Sequence, residues 1–283
     1  MIFYFTGTGN SLWVAKRLGE VFDESPVSIA GQLRNLESSG GKLPFTLNPD
    51  EKMFFVFPVH SWGVPKLVMQ FIKHMQWKGY NSQPVYMVCT CGDECGYTDR
   101  ILRKRLARKG ITLTGAYSIV MPNNYILMKG FNTDSKEVEQ QKLAAAPGRL
   151  QAIVEAINNH IAAGSCNMTG NVADAMAESS AKKATALYAV GTHPVLKSCI
   201  VYWLFVTFAL KQNKFEATKI CISCGLCEKI CPTKTIVMEE GHPEWERGSC
   251  VQCTACIHRC PVRAIEYGVE TWKKGRYHHP DLK

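Results

Sequence analysis

Along the first 163 residues, short apolar runs alternate with longer stretches whose apolar positions recur every three or four residues. The runs at 2–5, 27–30, 53–57, 84–90 and 116–121 predict buried strands. The periodic stretches near 11–22, 65–76, 98–109 and 134–163 predict helices. Strands alternating with helices pair in parallel through right-handed crossovers, so the pattern implies a doubly wound α/β sheet. Residues 31–50, rich in Gly, Ser and Pro, give no placeable element. Residues 164–183 (GSCNMTGNVADAMAESSAKK) are small and polar and read as a linker. Residues 198–210 (SCIVYWLFVTFAL) are strongly apolar, but 13 residues fall short of the roughly 20 needed to span a bilayer. They predict a buried or interface helix within 195–212. Three parts follow: an α/β domain over 1–165, a linker with an apolar helix over 166–213, and a small α+β module over 214–283.

Charge adds a contrast between the ends. Residues 214–283 hold 11 Lys/Arg against 9 Asp/Glu, whereas residues 1–213 hold 22 against 15, within a formal total of +9. No basic run is interleaved with aromatics, which argues against nucleic acid as a partner. The opening Met1-Ile-Phe-Tyr-Phe5 reads as a strand rather than a targeting segment, so a soluble, cytoplasmic protein is expected. Arg100, Arg103, Lys104, Arg105, Arg108 and Lys109 gather on one helix; a solvated face is the default, an acidic-carrier docking site the alternative. His278 and His279 lie in a polar tail and read as surface residues.

The chemistry concentrates in the cysteines. Cys221, Cys224, Cys227 and Cys231 precede Pro232, and Cys250, Cys253, Cys256 and Cys260 precede Pro261. Each run is C-x2-C-x2-C-x3-C-P, and each matched cysteine is offset by 29 residues, as are Ile236 and Ile265. This is the pattern of bacterial ferredoxins with two [4Fe–4S] clusters, in which the last cysteine of each run serves the other cluster. The expected sets are Cys221, Cys224, Cys227 and Cys260, and Cys250, Cys253, Cys256 and Cys231. A zinc ribbon leaves the third C-x2 step unexplained, and a disulfide scaffold needs an oxidising compartment. Gly225 is matched by Thr254, a difference that bears on packing and not on ligation. Cys89, Cys91 and Cys95 form C-x-C-x3-C, for which packing and loop roles outweigh metal or thiol chemistry. Cys166 and Cys199 read as structural.

The loop Thr6-Gly7-Thr8-Gly9-Asn10-Ser11 leaves the first strand and opens the first helix. It offers backbone N–H groups, three hydroxyls and a helix N-terminus to a phosphate monoester. It matches neither a Walker A loop nor G-x-G-x-x-G. Here the chain resembles flavodoxins, whose first loop holds the FMN phosphate. The resemblance implies sheet order 2-1-3-4-5 with FMN at the β1/β3 switch point. It also implies two flanking loops, Pro58-Val59-His60-Ser61-Trp62-Gly63-Val64-Pro65 and Cys91-Gly92-Asp93-Glu94-Cys95-Gly96-Tyr97. Pro58, Trp62 and Gly63 from one, and Cys91, Gly92, Asp93, Gly96 and Tyr97 from the other, are the expected flavin contacts. Trp62 is placed to stack on the ring and Tyr97 to cover its other face, while Asn123, Asn124 and Tyr125 either cap the flavin edge or form a plain turn.

A flavodoxin-like module followed by two cysteine runs resembles the EFR-type flavodoxin–ferredoxin fusion family of anaerobic bacteria and archaea, over nearly the whole chain. The resemblance implies an electron-transfer protein linking two [4Fe–4S] clusters to FMN and on to a redox partner such as a ferredoxin- or flavodoxin-dependent oxidoreductase. The alternative is an FMN-dependent reductase of a quinone or nitro compound with the cluster module as inlet; His60 and Glu94 are then acid candidates by position alone.

Overall fold

The computed structural model describes residues 1–36, 38–165, 187–210, 214–246 and 250–282. In chain order the first part comprises β1 (Ile2–Tyr4), α1 (Asn10–Phe22), β2 (Pro26–Ser28), α2 (Ile29–Arg34), β3 (Leu43–Thr46) and β4 (Met53–Pro58). Then follow α3 (Lys66–His74), β5 (Met75–Lys78), β6 (Val85–Cys91), α4 (Thr98–Ala107), β7 (Gly115–Val120) and α5 (Lys136–Ser165). Five strands form one parallel sheet in the order β2-β1-β4-β6-β7. Counted within that sheet alone, the order is second, first, third, fourth, fifth.

Residues 53–57 and 85–91 are buried throughout, as central strands covered on both faces must be. Alternate side chains serve opposite faces. Met53, Phe55 and Phe57 join Phe3, Phe5, α3 (Val68, Phe71, Ile72) and α4 (Leu102, Leu106). Phe54 and Val56 join Ile2, Tyr86, α1 (Val14, Leu18) and α5 (Leu150, Ile153, Ile157) on the other side.

Two further strands depart from the sequence pattern. β3 and β5 pair in parallel as a separate ribbon, Leu43 opposite Met75. Leu43-Pro44-Phe45-Thr46 falls in the stretch that gives no element from sequence, and Met75 and Gln76 continue a helical period there. The ribbon forms because Phe45 and Trp77 pack their rings on Phe3 and on each other, with centroids 4.8–5.7 Å apart. That burial outweighs the weak local signal of Pro44 in a short strand.

The linker reading at 166–186 lies outside the described residues. Residues 187–190 lie against the sheet edge, with the Ser118 N–H donating to Leu187 O at 2.9 Å. The apolar segment forms α6, a helical run that is π-wound over Leu196–Val201 and Phe205–Ala209 and α-wound over Tyr202–Leu204. Among the described residues no helix is long and apolar enough to cross a membrane.

The C-terminal module contains β8 (Phe215–Ala217), α7 (Leu226–Ile230), β9 (Ile236–Glu239), β10 (His242–Trp245), α8 (Ala255–Arg259) and β11 (Ile265–Tyr267). β9 pairs antiparallel with β10, and β8 with β11. The 29-residue repeat of the sequence is also a repeat of backbone shape. Left-handed φ values recur at Ser223 and Gln252 (55° and 49°), Gly225 and Thr254 (67° and 60°), and Lys234 and Arg263 (52° and 53°). Thr254 holds the same turn as Gly225 despite its Cβ, and its hydroxyl donates to the Cys253 carbonyl at 2.7 Å.

Candidate functional site

The two cysteine runs enclose two hollows. One is lined by Cys231, Cys250, Cys253 and Cys256 together with Phe215 and Trp245; the other by Cys221, Cys224, Cys227 and Cys260 together with Met238 and Pro243. Three cysteines of one run and the last of the other therefore meet at each. The helices explain the convergence. A left-handed residue starts α7 and α8 alike, and the cysteine ending each, Cys231 or Cys260, has φ −62° and ψ 117°, which turns it out of its own loop toward the opposite one. Backbone N–H groups point at the crossing sulfurs, Thr235 to Cys231 Sγ at 3.3 Å and Ala264 to Cys260 Sγ at 3.2 Å.

Burial pushes the thiols of Cys227 and Cys250 up to about 11, and those of Cys253 and Cys256 up as well. Such sulfurs lose their protons only to a strong local positive charge, which a cluster of iron ions supplies when bound. Among the described residues no three His, Cys, Asp or Glu side chains converge closely enough for a single metal ion. The donor set, four sulfurs around a hollow with N–H groups aimed at sulfur, fits an iron–sulfur cubane.

Residues 220–265 match the family described as the 4Fe-4S dicluster domain. The "Ferredoxin-like protein in vnf region" of Azotobacter vinelandii is 43% identical over 47 residues, which are 15% of this chain and 72% of that protein. The chain belongs to the ferredoxin family through this segment. The domain also matches a component of the ion-translocating oxidoreductase complex of Methanosarcina acetivorans, 44% identical over 46 residues, 16% of this chain and 17% of that protein. The "Putative electron transport protein YsaA" of Escherichia coli is 32% identical over 75 residues, 26% of this chain and 47% of that protein. The chain thus spans under half the length of these two relatives. A solved structure titled "The Structure of Trp Repressor Binding Protein from Bacillus subtilis" covers 52% of this chain and 95% of its own, at 13% identity and a TM-score of 0.31.

The ferredoxin domain is docked on the Thr6–Ser11 loop. Gly7 faces the Cys253 backbone so closely that an added Cβ would overlap the Cys253 carbonyl oxygen. Val251 is buried in the same apolar cluster as Phe5, Phe57 and Val64, and Cys253 packs against it. Ile126 and Leu127 share a core with Phe215, Ile257, Ile265 and Tyr267. Polar contacts follow: Asn124 O lies 2.6 Å from His258 Nε2, the Tyr125 hydroxyl donates to Gln252 Oε1 at 3.1 Å, and Arg34 donates to Cys231 O at 2.9 Å. Asn124 and Tyr125, expected at a flavin edge or in a turn, here bind the ferredoxin domain.

The tail corrects another expectation. His279 is buried, stacks on Trp13 at 5.7 Å, and its N–H donates to Thr8 O at 2.7 Å. The Tyr277 hydroxyl donates to Asn10 Oδ1 at 2.6 Å, and a Cβ on Gly9 (φ 103°) would come within 2.9 Å of His279 Cβ.

These contacts test the fit of FMN. Each side-chain oxygen of the loop already has a protein partner. Thr6 Oγ1 accepts from Gly9 N–H at 3.0 Å, Thr8 Oγ1 from Asn124 at 2.5 Å, and Ser11 Oγ pairs with Thr90 Oγ1 at 2.8 Å. The two flanking loops stand at the same end of the sheet, as their sequence positions imply, but they touch each other. Trp62 Nε1 donates to Glu94 Oε1 at 2.9 Å, and a Cβ on Gly96 would lie 3.0 Å from Trp62 Cβ. A Cβ on Gly92 would overlap Asn123 Oδ1. Helix α6 closes what remains. Lys197 pairs with Glu94 and lies 5.2 Å over the Trp62 ring, Ser198 Oγ donates to Trp62 O at 2.8 Å, and Tyr202 fills the space beside Gly63. Tyr97 carries the Arg100 guanidinium on its face at 3.6 Å. Pro58 is the last residue of β4, and Cys91 and Asp93 flank Gly92 beside Lys142, with Asp93 Oδ1 3.7 Å from its Nζ. A flavin ring between Trp62 and Tyr97 does not fit this arrangement.

Proposed function

We propose that this protein transfers electrons through two [4Fe–4S] clusters. One would be held by Cys221, Cys224, Cys227 and Cys260, the other by Cys231, Cys250, Cys253 and Cys256. The crossed grouping of the cysteines around two hollows carries the proposal. When bound, the clusters supply one-electron redox chemistry. The residues supply the rest. Thr235 and Ala264 N–H groups stabilise negative charge on the crossing sulfurs, and the buried Cys231 and Val251 keep water from the inner site. Cys224 is exposed, as are Ile220 and Ile222 just before it in the chain at 59% and 58%, so the outer site is the port for a redox protein. The inner site faces the N-terminal module through Val251 and Cys253. Free cysteines throughout the described residues suit a reducing compartment such as the cytoplasm.

The sheet order and the position of the Thr6–Ser11 loop support a flavodoxin-like N-terminal module. Because the ring slot is closed, no step is assigned to FMN. The test is the iron, sulfide and flavin content of anaerobically purified protein. About eight irons and eight sulfides per chain are expected. Zinc in place of iron overturns the proposal, and equimolar flavin shows that the slot opens and returns FMN to the pathway.

A further inference from the structure

Outside the ferredoxin domain two buried cysteine sulfurs meet, with a third cysteine, Cys91, on the same strand nearby. Cys89 leaves β6 toward the face that carries α3 and α4, and Cys95 returns to it after the Gly92–Glu94 turn. Their sulfurs are 3.5 Å apart. Cys89, Cys91 and Cys95 are 0%, 7% and 0% exposed. We propose that Cys89 and Cys95 form a reversible disulfide that exchanges two electrons with the ferredoxin domain, with Cys91 beside it.

Closing the bond asks the sulfurs to approach by roughly 1.5 Å, a side-chain torsion rather than a backbone rearrangement. The surroundings are those of a working dithiol. Hydrogen bonds from the Cys89 and Cys91 thiols hold Cys95 below the ordinary thiol range, against its burial, while burial raises Cys89. Lys142, which donates to Gly92 O at 2.9 Å, and Arg149, which donates to Ser118 O at 3.0 Å, bring positive charge to the site. Residues 188–190 seal it. Cys95 N–H donates to Ala189 O at 2.7 Å, Gly96 N–H to Val190 O at 3.0 Å, and the Tyr188 hydroxyl to Gly96 O at 3.2 Å. Bulk thiols and alkylating agents are thereby excluded, and electrons need no such opening. The apolar cluster that encloses the three sulfurs also contains Val251 and touches Cys253. The dithiol and the inner cluster site therefore share one dry core.

The reaction balances within the chain and rests on the cluster reading above. Reduction would break the Cys89–Cys95 S–S bond, take up two electrons of the one-electron kind that bound clusters would supply, and add two protons from water. Oxidation would form the bond, give back the two electrons and release the two protons. The dithiol thus converts one-electron deliveries into a two-electron store.

The test uses the full, iron-loaded chain under anaerobic conditions. After oxidation with thionine, acid quenching and alkylation in denaturant, mass spectrometry should find Cys89 bridged to Cys95 and Cys91 alkylated; after dithionite all three should alkylate. Reductive titration should take up two more electrons per chain in the wild type and in Cys91→Ser than in Cys95→Ser. Three free thiols in the oxidised wild type, equal electron uptake by Cys95→Ser, or zinc held at these sulfurs overturns the proposal. The wild-type mapping decides alone if Cys95→Ser does not fold. Iron and sulfide counts report separately on the clusters. A bridged chain without iron overturns the proposed function and the electron source, and an iron-replete chain with three free thiols overturns the bridge alone.

Discussion

Replacing Gly7 by Ala tests whether the ferredoxin domain rests on the Thr6–Ser11 loop. The new Cβ would overlap the Cys253 carbonyl oxygen and lie 3.0 Å from the Cys253 carbonyl carbon and 3.3 Å from its Cβ. The obstacle is backbone, so no rotamer change relieves it. The cysteine loop must move by roughly 1.5 Å to regain an ordinary C···O contact. Overpacking of this kind costs about 1–3 kcal/mol. For a chain of this size that lowers the midpoint by roughly 2–5 °C. Anaerobic thermal denaturation, followed by cluster absorption and far-UV circular dichroism together, would measure the change, and chelator-driven iron release should quicken. Gly148→Ala is the control. It lies inside α5 with no atom within 4 Å of the added Cβ, so it should stabilise by about 0.5–1 kcal/mol. A Gly7→Ala protein that melts with the wild type and holds its iron as firmly would refute the docking.

Cys224→Ser should lower iron from about eight to about four per chain and leave the inner site loaded; loss of all iron would show that neither site stands alone. Tyr277→Phe leaves the buried Asn10 Oδ1 without its 2.6 Å hydroxyl donor and should cost about 1–3 kcal/mol, read as a lower denaturant midpoint at unchanged slope. For Glu94, burial raises the carboxyl, but hydrogen bonds from Lys197, Thr192 N–H and Trp62 prevail and hold it below its ordinary 4.5. Its contribution is therefore complete above pH 4.5 and is lost as pH falls through the lower folded value. At neutral pH, Glu94→Gln should mimic that loss and speed hydrogen exchange at the Tyr97 amide, which donates to Ser198 Oγ at 2.7 Å; wild-type exchange there would reject the Glu94–Lys197 clamp.

The sheet was legible because 53–57 and 84–90 are unbroken apolar runs that only a strand covered on both faces accommodates. The paired cysteine runs of the ferredoxin segment were legible because a 29-residue repeat is carried by the residue types themselves. The β3–β5 ribbon was not, since its stability comes from Phe45 and Trp77 meeting Phe3 across long stretches of chain. The same holds for the docking. Asn124 and His258 are 134 residues apart, and Tyr277 and Asn10 are 267 apart. Neither end carries a local signal, and His279 resembles an ordinary polar tail residue in sequence for that reason. Trp62 shows the converse: its position in the chain suggests a stacking role, but Glu94, Lys197 and Ser198 have already claimed its N–H, its ring face and its carbonyl. The Cys89–Cys95 approach is half visible as a spacing, without the burial that gives it meaning.

The proposed exchange of Cys231 and Cys260 between the two halves has a consequence for assembly. Neither half can complete a binding set from its own loop, so the halves interlock like two links, each closed by the other. Iron acquisition and the final folding of this region should therefore advance together, and a nascent chain released before Cys260 has emerged holds every cysteine of the inner set but cannot finish the outer one.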